Sequence, residues 1–145
     1  MRIAAFVLAL AWLAALSCYD IRHRRLPNAL TLPGAAVILL AAGLAGRGSP
    51  ALAGAAALAG LYLLVHTLAR EGMGAGDVKL AIGLGALTGC FGAGVWFLAA
   101  FAAPLLTAVF GMAARFRGDG AAAVPHGPSM CLACAAGVGI AQQWQ

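Results

Sequence analysis

Glu71-Gly72-Met73-Gly74-Ala75-Gly76-Asp77-Val78-Lys79-Leu80 sets a carboxylate behind three glycines, at the edge of an apolar run. An acid that close to a hydrophobic segment is costly to keep, and it is by default a candidate functional group. Downstream the chain is apolar to Ala114, broken only by Gly89-Cys90-Phe91-Gly92-Ala93-Gly94. Upstream lies a run from Ala51 to Ala69 rich in Ala, Leu and Gly. The polar stretch is therefore a loop between hydrophobic segments, and that reading fixes the class of fold.

The composition points the same way. Of 145 residues, 63% are hydrophobic and 9% charged, whereas a soluble domain carries roughly 25% charged residues. This chain has too little polar surface to cover a globule, so it reads as an integral membrane protein. Its formal charge of +5 suits topology better than nucleic acid, because basic residues collect in cytoplasmic loops. No basic patch with interleaved aromatics is present to bind single strands.

Six apolar segments are expected, which makes the chain an all-α polytopic protein forming a single membrane-embedded domain over residues 1–145. The first, Ile3 to Tyr19, resembles a signal peptide, and Ala15-Leu16-Ser17-Cys18 hints at lipoprotein cleavage. The arginines at 22, 24 and 25 hold that end in the cytoplasm, however, so the segment is a first transmembrane helix. The others run from Ala29 to about Gly46, Ala51 to Ala69, about Val78 to Phe91, Gly94 to Ala114, and Pro128 to Trp144. The fourth is short for a bilayer that needs about 20 residues. Arg22, Arg24, Arg25, Arg70, Lys79, Arg115 and Arg117 fall on one side and Arg2 and Arg47 on the other, which accounts for all nine Lys+Arg. The majority side is cytoplasmic, with both termini outside.

The acids then fall at one face. Asp119 sits in an Asp-Gly turn pair, and Glu71 beside Arg70 is a solvated loop charge. Asp20 ends the first helix and Asp77 opens the fourth. From the residues alone, two independent helix caps and one functional pair both stay open. Two carboxylates in one site cannot both ionise cheaply, so one holds a proton. The ionised partner can activate water, and the protonated one can donate to a peptide carbonyl oxygen. That scheme needs no cofactor, and His23, His66 and His126 are scattered along the sequence. Cys131 and Cys134 form a CxxC in an apolar segment, where packing between helices is the plainer role. Gly72, Gly74 and Gly76 permit φ > 0 and close backbone approach, against which an extended substrate strand can lie. Helix packing is the bland alternative in a chain with 20 glycines.

Asp20-Ile21-Arg22-His23-Arg24-Arg25-Leu26-Pro27-Asn28, followed by Gly74-Ala75-Gly76-Asp77-Val78-Lys79-Leu80, resembles the paired signatures of the type IV prepilin peptidases. These are membrane aspartic proteases of the GxGD class. Pro125-His126-Gly127-Pro128 is similar to a Pro-x-Gly-Pro segment before the family's last helix, where an apolar or aromatic residue is more usual at position 126. The resemblance implies that Asp20 and Asp77 are catalytic and that Pro27, Asn28, Gly74, Gly76 and Lys79 support them. It leaves open whether Lys79 biases the Asp77 charge or contacts lipid phosphate. It implies a substrate: a pilin-like precursor whose basic leader is cut at the cytoplasmic face of the cell membrane, commonly after a glycine. Larger members add a cytoplasmic region and methylate the new N-terminus. The short first loop here leaves that activity no obvious home and is similar to the compact, peptidase-only forms serving Flp/Tad-type pili. The competing class is a non-catalytic assembly component or small transporter subunit, whose acids would be expected nearer the midplane.

Overall fold

The computed structural model of the chain describes residues 2–69, 74–117 and 125–143. Six helices are found there: α1 (Arg2–His23), α2 (Asn28–Leu44), α3 (Gly48–Leu68), α4 (Ala75–Gly89), α5 (Ala93–Phe116) and α6 (His126–Gln143). Among the described residues there are no strands, and the fold is all-α. Three helices are long and apolar enough to cross a membrane: Ile3–His23, Gly48–Leu68 and Ala93–Phe116, with mean hydropathies of 1.9, 1.8 and 2.0. Their large apolar side chains face outward, with Leu68 79% and Phe116 86% exposed. Such a surface matches lipid rather than water. Arg70, Glu71, Gly72 and Asp119 lie outside the described residues.

α4 is the central element. It is the shortest helix, at 15 residues, or about 22 Å against a hydrocarbon core of about 30 Å. Leu80, Ala81, Gly83, Leu84, Gly85, Ala86, Thr88 and Gly89 are all buried, which is why its sequence shows no polar stripe. Glycines let it approach α3 backbone to backbone. A Cβ on Gly85 would fall on the carbonyl oxygen of Gly54 and 2.9 Å from Leu58 Cβ. The indole nitrogen of Trp96, on α5, donates to that same Gly54 oxygen at 3.0 Å. Small residues at such a crossing allow the close packing that replaces the hydrophobic drive inside a membrane. Gly85→Ala is accordingly expected to force the two helices apart and cost about 1–3 kcal/mol, read as a lower unfolding midpoint of the solubilised protein.

On the other face of α4, Trp12 of α1 covers Gly83 and Gly34 and donates through its indole nitrogen to Leu30 O at 3.0 Å. α6 packs against α5, α1 and α4. Cys131 and Cys134 of α6 are buried in the main core, which is the packing role suited to a CxxC in an apolar segment. At one end of the bundle, Arg47 in the α2–α3 turn donates to Cys90 O in the α4–α5 turn at 3.0 Å. The opposite end gathers the start of α2, α4 and α6 and the end of α1 and α3.

Most helix boundaries differ from the expectation by one to four residues, and two of the differences bear on the site. α1 continues past Asp20 to His23 rather than ending at Asp20. The His23 ring stacks on Tyr19 with centroids 4.2 Å apart, and its Nδ1 bonds Tyr19 O at 3.2 Å. The helix stops at Arg24, which adopts φ 49° and gives its N–H to Asp20 O at 2.7 Å, the left-handed termination usually taken by glycine. Arg24→Gly should therefore stabilise the protein by about 1 kcal/mol, seen as a raised unfolding midpoint. The second difference is at α4, which begins at Ala75 instead of Val78, with Gly74 as its N-cap. Asp77 then occupies the third helical position, from which an acidic side chain can reach back to the cap N–H.

Candidate functional site

Asp20 lies in the last turn of α1, the end at which the helix dipole disfavours an acid. It is nonetheless buried, with 6% of its surface exposed. Capping of its own helix cannot account for it. The group facing its carboxylate is the backbone N–H of Gly127, in the first turn of α6. The dipole and free N–H groups at that helix start favour negative charge. α6 thus supplies what α1 withholds. The fit is close: a Cβ on Gly127 would stand 2.5 Å from Asp20 Oδ2 and 3.1 Å from Cγ.

Asp77 does serve as a cap. Its carboxylate faces the backbone N–H of Gly74, and its own N–H donates to Gly74 O at 3.1 Å. It is also near enough to Asp20 and to His66, in the last turn of α3, for their charges to act on it. The cap and the pair are therefore not alternatives, since one carboxylate takes part in both. The opening turn of α4 and the closing turn of α1 bring together two acids separated in sequence by α2 and α3.

The residues around them connect the two motifs. Lys79 Nζ donates to Asn28 Oδ1 at 2.9 Å, so the ammonium ties α4 to the first residue of α2. Pro27, at φ −72° and ψ 136°, is the N-cap of α2, and its carbonyl accepts the N–H groups of Leu30 and Thr31 at 3.0 and 3.1 Å. Gly76 gives room rather than unusual backbone geometry. A Cβ there would stand 3.2 Å from Leu26 Cβ, so the first turn of α4 touches the α1–α2 connection. Gly74 has φ −74°, and among the described glycines only Gly46 and Gly92 have positive φ. Conformational freedom is thus not what Gly74 and Gly76 supply; close approach at Gly76 is.

Three further groups reach this end of the bundle. The Tyr62 hydroxyl on α3 is 3.0 Å from His126 Nε2, and Thr107 Oγ1 on α5 is 2.6 Å from His126 Nδ1. Asp77 acts electrostatically on Tyr62, and both aspartates act on Cys131. The histidines that look scattered in the sequence separate in space: His66 and His126 join this cluster because helix ends converge, while His23 stacks on Tyr19. Tyr62 and Thr107 carry no sequence signal of their own. Each lies in an apolar run, and only the meeting of their side chains with His126 singles them out.

Residues 7–112, which contain both aspartates, match the model of the type IV leader peptidase family. The chain belongs to that family. A curated relative, the prepilin leader peptidase/N-methyltransferase of Xanthomonas campestris pv. campestris, is 35% identical over 135 residues. The alignment covers 84% of this chain and 45% of the relative, so the chain spans about half the length of the relative it matches. No solved structure matches. The leader peptidase match ends before α6, so His126 and Gly127 lie outside it.

Proposed function

We propose that this chain is a membrane aspartic endopeptidase that removes the short basic leader from type IV pilin-like precursors, with Flp/Tad-type pilins as the substrate class. The observation that carries the reading is the meeting of Asp20 and Asp77 at one end of the bundle, inside the part of the chain that matches the family. One carboxylate takes a proton from water as the water oxygen attacks the scissile carbonyl carbon. The other, protonated, donates to the carbonyl oxygen. The tetrahedral intermediate collapses when its C–N bond breaks and a proton passes to the leaving nitrogen. Asp20, in its buried place against α6, and the less buried Asp77 have different surroundings, the condition under which two carboxylates divide acid and base roles.

Seven of the nine basic residues cluster by sequence on the side of this site, which supports a cytoplasmic placement in the cell membrane with both termini outside. The precursor's hydrophobic helix would stay in lipid beside the bundle while its leader reaches the aspartates. No cofactor takes part. The test is to reconstitute the chain in lipid with a precursor bearing a basic leader, a glycine and an apolar helix, and to identify products by mass. Release of the leader just after the glycine is expected. An intact precursor under conditions where the chain is folded would overturn the reading.

A further inference from the structure

The His126 ring joins three helices at the end of the bundle where the two aspartates lie. Its Nε2 is 3.0 Å from the Tyr62 hydroxyl and its Nδ1 2.6 Å from Thr107 Oγ1. Thr107 has one hydroxyl proton, which it donates within its own helix to Ala103 O at 3.1 Å. A carbonyl only accepts. With the proton there, Nδ1–H donates to Thr107 Oγ1 and Nε2 accepts from Tyr62; with the hydroxyl turned to Nδ1, Nε2–H donates to the Tyr62 oxygen. In either tautomer a neutral imidazole satisfies both ring nitrogens.

The consequence lies one residue on. Gly127 presents its backbone N–H to Asp20, and Tyr62 is within electrostatic reach of Asp77. The ring therefore anchors the first turn of α6 from α3 and α5, beside the backbone group that meets one carboxylate. Buried donors and acceptors that lose a partner are costly, so this anchor has one preferred geometry. An apolar ring at position 126 would fill the space and leave both hydroxyls without it.

We propose that His126 is a positioning residue for the Asp20/Asp77 pair: through Tyr62 and Thr107 it fixes the start of α6 so that the Gly127 N–H stays on Asp20. The proposal rests on the reading of that pair as the catalytic carboxylates.

The experiment measures kcat and KM for leader cleavage by His126→Phe, Thr107→Val and the double variant, in lipid, with Asp20→Asn alongside. A misplacement of a fraction of an ångström predicts a kcat about tenfold lower for His126→Phe, with KM held within about twofold, the split expected when transition-state positioning rather than substrate binding is lost. Thr107→Val should lower kcat alone and add nothing in the His126→Phe background. His126→Gln, which keeps a donor and an acceptor, should recover part of the loss. Wild-type kcat in His126→Phe, or equal effects of Thr107→Val in both backgrounds, would overturn the proposal. Should His126→Phe not fold, Tyr62→Phe and Thr107→Val decide in its place, since each removes only a hydroxyl's hydrogen bonds. A lowered kcat with KM held supports the anchor, and a wild-type kcat overturns it. Cleavage by Asp20→Asn at the normal rate would instead sink the underlying reading of the pair, whereas its loss beside an undiminished His126→Phe sinks this proposal alone.

Discussion

Asp20→Asn and Asp77→Asn should each reduce precursor cleavage by about 10²–10⁴-fold, the range associated with loss of a positioned acid or base. Asparagine keeps the volume and the hydrogen-bond acceptor but can neither take a proton from water nor hold one to give away. The helices should therefore persist. At Asp77 the amide oxygen can still meet the Gly74 N–H that the carboxylate faces. At Asp20 it can meet the N–H of Gly127. Processing of a co-expressed precursor, followed by the shift in its mass, measures the loss, and an unfolding midpoint near wild type shows that chemistry rather than folding was removed. That separation matters for Asp20. It is buried among groups from α6, and replacing a buried acid by a neutral isostere changes the local field as well as the chemistry.

Gly127→Ala should lower cleavage by about 10²-fold through position alone. The added Cβ would stand 2.5 Å from Asp20 Oδ2, well inside van der Waals contact, so either the carboxylate rotates or the start of α6 retreats. The His126 anchor resists the second movement, because its ring is tied to Tyr62 and Thr107. Displacement of the carboxylate is the expected response. Kinetics then show a fall in kcat with little change in KM, the signature of an interaction used in the transition state rather than in binding. A methyl group tolerated at full rate would mean that Asp20 does not act from the position it occupies here.

Much of the fold was legible because hydrophobic runs are long and basic residues punctuate them. The count of apolar segments matched the described helices, and placing Asp20 and Asp77 at a common boundary required only that successive segments run up and down. The boundaries were harder. Arg22 and His23, beyond Asp20, look like loop residues, yet Tyr19 and His23 stack on each other and extend the helix. The burial of α4 was also hidden. Gly54, Gly85 and Gly89 form its close seam with α3, but in a chain with 20 glycines no pattern marks those three.

The candidate site was legible as motifs and illegible as contacts. Asn28 and Lys79 were both singled out by resemblance, but the hydrogen bond between them depends on how α2 and α4 cross. Gly127 is harder still, since what it contributes is a backbone N–H and the absence of a side chain. The Tyr62–His126–Thr107 network joins residues on three helices, and no local spacing announces it. Long-range polar contacts between helices leave little periodic trace, because each helix spends its sequence pattern on packing.

The central claim is that Asp20 and Asp77 act as one unit, and the most direct measurement is kcat/KM for Asp20→Asn, Asp77→Asn and the double variant in a single reconstituted assay. Groups that act as a unit are strongly non-additive. Each single variant should already fall to the floor set by the double. A single variant that retained the wild-type rate, or losses that multiplied in the double, would contradict the account.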